Sequence, residues 1–187
     1  MRACILIRHG ATDMAGRYCG QSDPPLNDAG RSQIERAASI LPTVPQVVYT
    51  SDLLRARESA EIFARYFSAP LIVRPALREI CFGEWEGLPW QEVEQRFPRE
   101  SAVWLEHFPA GLVPSGERYG SFVERVKHEM DFLTAQAQSH ALMAVTHGGF
   151  IRSALAEIYR VPASEAFRLT AEYGAIIDLS RPHFGVA

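Results

Sequence analysis

Ala3-Cys4-Ile5-Leu6-Ile7-Arg8-His9-Gly10 is an apolar run that ends in three residues suited to a phosphate group. The five apolar residues predict a strand buried on both faces, since such strands read as continuous apolar runs. Arg8 offers a planar fork of donors for phosphate oxygens, and Gly10 lets backbone approach an anion. His9, neutral near pH 7, can attack phosphorus through one ring nitrogen. A strand-end histidine is also an ordinary core residue, so this interpretation needs support from other segments.

The rest of the chain alternates between strand-like runs and helix-like periodicities. Strands are predicted at residues 47–49, 71–73, 141–146, 167–170 and 175–179. Four helices are predicted: from an Asn27-Asp28 cap to about Leu41, from a Ser51 or Asp52 cap to about Phe67, over Phe122 to Leu133, and from Gly148 to about Tyr159. The apolar residues of the second helix are Ile62, Phe63, Tyr66 and Phe67. From Glu79 to Leu112 the pattern loosens, and one or two short helices are expected. The alternation predicts a three-layer α/β fold, with a mostly parallel sheet flanked by helices.

Residues with phosphate chemistry follow three different predicted strands. His9 follows the first strand, Arg55 lies just after the second, and His147 follows the fourth. The carboxyl ends of parallel strands meet at one edge of a sheet, which is where open α/β sheets bind their ligands. The sequence therefore predicts that these three side chains share one site.

Arg55 and His147 also have ordinary interpretations. An arginine in the first turn of a helix is usually solvated, and the helix dipole disfavours it slightly unless an anion binds there. His147-Gly148-Gly149 repeats the strand-histidine-glycine pattern of His9-Gly10. Two such turns in one chain favour a pair of imidazoles that face a common ligand.

The segment Leu77 to Gly87 holds three glutamates, Glu79, Glu84 and Glu86. A solvated loop edge would account for them. Alternatively, one of them, close to apolar neighbours such as Ile80 and Phe82, is a general acid that protonates a leaving oxygen. The residues alone leave the choice among the three open.

Composition indicates a globular chain with a single domain over residues 1–187 and excludes several partners. The net charge of −3 does not suggest a nucleic-acid or anionic membrane surface, and no stretch approaches the roughly 18 apolar residues of a membrane span. Cys4, Cys19 and Cys81 have no CxxC spacing, which favours reduced thiols in a cytoplasm. The histidines lack the H-x-x-x-H spacing, so no metal cofactor is expected. Oligomeric state stays open.

Five ordered segments resemble the motifs of the histidine phosphatase superfamily, also called the phosphoglycerate-mutase-like family. They are Leu6 to Thr12, Pro25 to Gly30, Tyr49 to Ala60, Leu77 to Gly87, and Val145 to Gly149. The resemblance implies a phosphoglycerate-mutase-like fold and a phosphomonoesterase that acts on a small phosphorylated metabolite through a phosphohistidine intermediate, without a cofactor. It implies His9 as the nucleophile and Glu79 as the proton donor. The phosphate-binding residues would be Arg8, Arg55, His147, Thr12 and Gly148.

The expected phosphate pocket lacks one residue that the family often has, and it is expected to work without a metal ion. The family often has an asparagine soon after the nucleophile, whereas Asp13-Met14-Ala15-Gly16 has none, so Thr12 or Cys19 is expected to line the pocket instead. Two arginines and one or two protonated imidazoles are expected to offset the phosphoryl charge without a metal ion.

Within the superfamily, the chain resembles phosphatases more than the longer phosphoglycerate mutases. Tyr18-Cys19-Gly20, Pro114 to Glu117 and Val161 to Ser164 are similar to segments of the α-ribazole phosphatase subfamily, although Arg118 replaces a usual serine. A nucleoside-like leaving group needs an apolar wall, and Trp85, Trp90, Trp104 and Phe108 lie in the stretch expected to cover the site. The alternative is that most of these four are simply core residues. The alternatives are a broad-specificity sugar-phosphate or phosphoester phosphatase, a phosphoglycerate mutase, and a non-catalytic scaffold that binds phosphorylated ligands.

Overall fold

The computed structural model describes residues 2–181, so residue 1 and residues 182–187 of the predicted domain lie outside it. Five strands form its sheet: β1 (Cys4–Arg8), β2 (Val47–Thr50), β3 (Leu71–Val73), β4 (Leu142–Thr146) and β5 (Ile176–Asp178). The helices are α1 (Asp28–Ile40), α2 (Leu54–Phe67), α3 (Trp90–Arg96), α4 (Pro98–Glu106), α5 (Tyr119–Gln136), α6 (Gly148–Glu157) and α7 (Ala163–Leu169). None of the helices within residues 2–181 is long and apolar enough to cross a membrane.

The strands lie in the order β3-β2-β4-β1-β5, and all neighbouring pairs are parallel except β1 and β5. Strand β1, which contains the apolar run before His9, is buried between β4 and β5. This burial explains why the run is continuous. Because β1, β4 and β2 are parallel neighbours, their carboxyl ends lie side by side. The predicted mostly parallel sheet is confirmed.

Alternate strand residues pack against helices on the two faces of the sheet. Leu6 and Ala144 face the apolar side chains of α5 and α6, whereas Ile7 and Val145 face those of α1 and α2. The predicted face of the α5 helix is buried in full, from Phe122 to Leu133. The three-layer arrangement is therefore confirmed, and both outer layers hold the sheet edge in place.

Three details of the predicted elements are wrong. Residues 167–170 do not form a strand, because Phe167 to Leu169 belong to α7. Neither Ser51 nor Asp52 caps the second helix, which begins at Leu54, because Asp52 is paired with Arg78 and the Leu54 N–H group donates to Asp23 Oδ1 instead. Tyr66 is exposed rather than buried with Ile62 and Phe63.

The loosely patterned stretch folds as a small cluster beside the sheet. Trp85, Trp104, Val93 and Val113 are buried together, with α3 and α4 as its two short helices. Trp90 packs against this cluster from outside. The cluster supports the loop that carries Glu79 to Glu86, and so it forms one side of the candidate site.

Candidate active site

The carboxyl ends of β1 and β4 bring His9 and His147 together. Their ring centroids lie 5.0 Å apart. Arg55, in the first turn of α2, places its Nε 3.3 Å from His9 Nε2, and its side chain is almost completely buried. The structure thus brings together the three residues that the sequence placed after three different strands.

The two ring nitrogens of His9 have different roles: Nδ1 carries the proton and Nε2 carries the lone pair. Nδ1 lies 2.7 Å from the carbonyl oxygen of Gly10, which only accepts hydrogen bonds, so Nδ1 carries the proton. Nε2 therefore presents its lone pair toward Arg55 Nε. Burial, and after it the Arg55 guanidinium, holds the pKa of His9 well below its usual value of 6.5. The imidazole is consequently neutral and nucleophilic at neutral pH.

His147 is fully buried beside His9, and neither of its ring nitrogens has a hydrogen-bond partner within residues 2–181. Burial lowers the pKa of His147 well below its usual value, and Arg55 and His9 lower it further. Both imidazoles are therefore neutral before an anion binds, and the expectation that one or two of them are protonated around a bound phosphoryl group stays a prediction. Unpartnered polar atoms at such depth are rare in folded proteins and point to a ligand that supplies the missing bond.

Arg55 is held by the carbonyl groups of one loop. Its Nη1 donates to Ser22 at 2.6 Å, and its Nη2 donates to Cys19 at 3.1 Å and to Gly20 at 2.8 Å. With the rest of the guanidinium fixed in this way, Nε–H is the donor that faces His9. This arrangement orients a fixed positive charge at Nε2 of His9, the residue that the family resemblance implies as the nucleophile.

Arg8 is fixed from the opposite side of the site. Its Nη1 donates to the carbonyl oxygens of Thr170 and Ala171 at 2.7 and 2.8 Å, and the Tyr173 ring lies 4.1 Å from its guanidinium carbon. Its buried Nε has no partner within the described residues. Arg8 therefore keeps an unused donor in the same region as the two histidines.

Glu79 approaches the site from the loop after β3. Its Oε1 accepts from its neighbour Ile80 N–H at 3.0 Å, and its Oε2 accepts from Gly149 N–H at 2.8 Å, so the carboxyl group is held in one orientation. A Cβ at position 149 would lie 2.2 Å from Oε1, which explains why the residue there is glycine. Of the three glutamates that the sequence left open, Glu84 is exposed and Glu86 binds a neighbouring loop, so Glu79 is the one at the cavity.

A cavity of about 220 Å³ lies at this sheet edge and is lined by Arg8, His9 and Glu79, whereas Arg55 and His147, both buried next to His9, do not line it. Its lining side chains are predominantly cationic or polar, with Glu79 as the lining carboxylate: Arg8, His9, Thr12, Met14, Arg17, Tyr18, Cys19, Glu79, Phe82, Gly148, Arg152 and Tyr173. Thr12 and Cys19, the two residues expected in place of the missing asparagine, both line it. A small cavity with three arginines against one carboxylate is suited to a doubly charged anion.

Arg152 and Tyr173 were missed by the sequence reasoning. Arg152 lies one helical turn after Gly148, and its Nη1 would be 2.9 Å from a Cβ at that position. The i, i+4 spacing from Gly148 was therefore an available signal for Arg152. Tyr173 lies in the turn before β5, and it reaches the site because β5 pairs antiparallel to β1. No local periodicity marks such a residue.

A second cavity, of about 310 Å³, adjoins the first. It shares Phe82 and Arg152 with the first cavity, and most of its lining is apolar: Ile80, Trp104, Phe108, Pro109, Tyr119, Phe122, Gly149, Ser153, Ala156, Glu157, Ala163, Ala166 and Phe167. Trp104 and Phe108, from the expected apolar wall, line it. Trp85 and Trp90 do not, because they belong to the buried cluster and its edge. The site therefore has a charged compartment and an apolar compartment.

A neutral imidazole, fixed guanidinium groups and an oriented carboxyl group form the set of residues that phosphoryl-transfer chemistry needs. On an α/β sheet with this strand order, they define a class of phosphate-handling enzyme. The chain belongs to the histidine phosphatase superfamily, whose branch 1 profile matches residues 4–185. It is accordingly a phosphoric monoester hydrolase, and the family predicted from its five motifs is confirmed.

Relatives with named activities are similar over most of the chain. The adenosylcobalamin/alpha-ribazole phosphatase of Salmonella typhimurium is 28% identical over 172 residues, which cover 90% of this chain and 85% of that protein. The glucosyl-3-phosphoglycerate phosphatase of Mycobacterium tuberculosis is 30% identical over 173 residues, covering 87% and 78%.

Solved structures share the fold at similar coverage. The alpha-ribazole phosphatase of Shigella flexneri superposes with a TM-score of 0.84 at 23% identity, over 99% of this chain and 93% of that chain. A mycobacterial glucosyl-3-phosphoglycerate phosphatase has a TM-score of 0.79 at 25% identity, over 95% and 89%. The predicted phosphoglycerate-mutase-like fold is confirmed.

Proposed function

We propose that this chain hydrolyses phosphate monoesters through a phosphohistidine formed at Nε2 of His9. The lone pair on Nε2 forms the N–P bond while the P–O ester bond breaks, and Glu79 gives its proton to the leaving oxygen. Glu79 then accepts a proton from water as the water oxygen attacks phosphorus, which breaks the N–P bond and releases phosphate. The observation that carries this proposal is the hydrogen bond from His9 Nδ1 to Gly10, because it makes Nε2 the ring nitrogen that holds the lone pair.

Fixed cations supply the charge that the transferred phosphoryl group needs. Arg55 Nε–H faces His9 Nε2, Arg8 keeps a buried unused donor, and Arg152 lines the same cavity. We propose that His147, whose ring centroid lies 5.0 Å from that of His9, bonds an oxygen of the phosphoryl group on His9, since both of its nitrogens lack a partner within the described residues. Preorganised donors of this kind stabilise the transition state without reorganisation.

Because these donors are side chains, hydrolysis should not need a metal ion. We expect kcat and KM with p-nitrophenyl phosphate to be unchanged in excess EDTA, and we expect vanadate to inhibit as a phosphoryl mimic. The vanadium compound VO3 has been observed in complex with the similar mycobacterial glucosyl-3-phosphoglycerate phosphatase. A loss of activity in EDTA that magnesium restores would contradict this account of the charge balance.

For the substrate, we propose α-ribazole 5′-phosphate, a nucleotide-like ester of cobalamin synthesis in the cytoplasm. The apolar compartment supports this choice, because it offers Trp104 and Phe108 to a flat leaving group while the phosphate lies in the charged compartment. The similarity to an adenosylcobalamin/alpha-ribazole phosphatase supports it as well. The three cysteines are free thiols, which is compatible with a reducing compartment.

This choice of substrate predicts a specific ranking of kcat/KM. The value for α-ribazole 5′-phosphate should exceed those for glucosyl-3-phosphoglycerate, 3-phosphoglycerate and simple sugar phosphates by at least about tenfold, roughly 1.4 kcal/mol of transition-state binding. Ala156→Leu, which adds a larger side chain to the apolar compartment, should reduce this tenfold preference for α-ribazole 5′-phosphate. The matched control is Ala102→Leu on the exposed face of α4, which should not.

Other outcomes would select the alternatives. Equal kcat/KM values across these esters would indicate a broad-specificity phosphatase. A preference for glucosyl-3-phosphoglycerate would match the 30% identical mycobacterial relative instead. Phosphate transfer between positions 2 and 3 of glycerate, faster than release to water, would indicate a mutase.

A further inference from the structure

The Glu86 carboxylate is surrounded by hydrogen-bond donors although it takes no part in the chemistry above. Its Oε1 accepts from the N–H groups of Gln21 at 2.8 Å and Phe82 at 3.0 Å. Its Oε2 accepts from the N–H groups of Gly20 and Ser22 at 3.0 and 3.1 Å, and from the Ser22 hydroxyl at 2.7 Å. One side chain therefore bonds three successive N–H groups of the loop at residues 20–22.

This is the loop that holds Arg55. The carbonyl oxygens of Cys19, Gly20 and Ser22 accept from the Arg55 guanidinium, while the N–H groups of Gly20 and Ser22 point to Glu86. The loop thus lies between a carboxylate on one side and a guanidinium on the other. Two peptide units, Cys19–Gly20 and Gly20–Gln21, bond Arg55 through their C=O and Glu86 through their N–H, so each is polarised in the sense that strengthens both sets of hydrogen bonds.

The fit between Glu86 and the loop is tight. A Cβ at position 20 would lie 2.4 Å from Glu86 Oε1 and 2.2 Å from the Ile80 carbonyl oxygen, so any side chain there would displace the loop. Burial by itself raises the pKa of Glu86, but the hydrogen bonds from Ser22, Gln21 and Phe82 outweigh burial and keep the pKa below its usual value. The carboxylate is ionised at neutral pH and can orient all of these donors.

We propose that Glu86 is a positioning residue for catalysis, which acts through the loop at residues 20–22 to aim Arg55 Nε at His9 Nε2. The argument rests on the function proposed above for Arg55 and His9. In this account Glu86 contacts neither substrate nor nucleophile. Its role is to fix the carbonyl groups that restrict Arg55 to one orientation, and the 3.3 Å contact with His9 is the result.

Glu86→Gln tests the proposal because the glutamine amide adds an N–H₂ group where the loop offers only donors. We expect kcat/KM for p-nitrophenyl phosphate to fall by about 10- to 100-fold, as for a small misplacement of a catalytic group, with vanadate inhibition weakened in parallel. Glu84→Gln is the matched control, since Glu84 is exposed and bonds the Ser115 hydroxyl. It should change neither value by more than about twofold.

A double-mutant cycle separates positioning of Arg55 from a general structural role. Lysine at position 55 lacks the planar fork that the loop carbonyls hold, so Glu86→Gln should cost less than about threefold in the Arg55→Lys background. An equal loss in both backgrounds, or no loss in the wild-type background, would overturn the proposal. Full activity of Arg55→Lys alone would overturn the proposed role of Arg55 itself, which is a distinguishable failure.

Ser22→Ala provides a second variant if Glu86→Gln does not fold. It removes the 2.7 Å bond from the hydroxyl to Glu86 and leaves the backbone bonds in place. A loss of about threefold to tenfold in kcat/KM should appear, and it should disappear with Arg55→Lys. An undiminished loss in that background, or no loss at all, would count against the proposal. Thermal unfolding of each variant verifies that the fold is retained.

Discussion

His9→Ala should lose essentially all turnover, with kcat reduced by at least about 10⁴-fold. The reason is that Nε2 of His9 forms the covalent bond to phosphorus in the proposed mechanism. His147 does not offer a substitute, because its ring is fully buried and does not line the cavity of the empty site. The measurement is kcat with p-nitrophenyl phosphate. His128→Ala, at an exposed position of α5, is the matched control and should keep full activity.

The same variant tests the intermediate directly. Brief exposure of the wild-type protein to ³²P-labelled substrate, followed by an alkaline quench, should leave label that acid removes, as expected for a P–N bond. His9→Ala should retain none. Label that resists acid, or substantial turnover by the variant, would show that the nucleophile is another residue.

The second large effect is expected for Glu79→Gln. Glutamine preserves the size of the side chain and its acceptor oxygen but cannot donate the acid proton to a leaving oxygen. General-acid catalysis contributes about 10² to 10⁴ in rate, and it matters most when the leaving oxygen is a strong base. In kcat/KM, which covers only the steps up to departure of the leaving group and so leaves out the later attack of water, the variant should therefore lose about that factor with alkyl phosphates. The loss in kcat/KM with p-nitrophenyl phosphate, whose leaving group needs no proton, should be less than about tenfold.

The comparison between the two substrates is the control for positioning. Equal losses on alkyl and nitrophenyl esters would mean that Glu79 orients the site through its bond to Gly149 rather than donating a proton. Glu84→Gln, in the same loop but exposed, should leave both rates unchanged. No change in either rate for Glu79→Gln would remove it from the mechanism.

The sequence predicted those parts of the fold that a short run of residues determines, such as a continuous apolar strand or a helix cap. The run that forms β1 is buried on both faces, so its apolar pattern is unambiguous. The pairing of His9 with His147 could be anticipated because each follows a parallel strand, and adjacent parallel strands end at one edge. Asn27 also caps α1 as its sequence indicated, with its side chain accepting from Gly30 N–H.

Elsewhere the local signal was ambiguous. Phe167-Arg168-Leu169-Thr170 alternates apolar and polar residues like a strand, but Ala166 and Leu169 are buried at helical spacing and Phe167 is partly exposed. The predicted cap of α2 is wrong because of a tertiary contact: the Asp52 carboxylate accepts hydrogen bonds from Arg78, which is distant in sequence. Tyr173 joins the site only through the antiparallel pairing of β5, which no short segment encodes.

The Arg8 Nε and the two ring nitrogens of His147 have a thermodynamic consequence, since they are buried without partners within the described residues. Buried polar atoms without partners destabilise the empty native state, because their loss of hydration is not offset. An anion that binds only the folded protein stabilises it, by about 2.7 kcal/mol at a ligand concentration 100 times its Kd. Substrate and released phosphate are therefore also stabilisers of the native protein, and its resistance to unfolding depends on how much of them surrounds it.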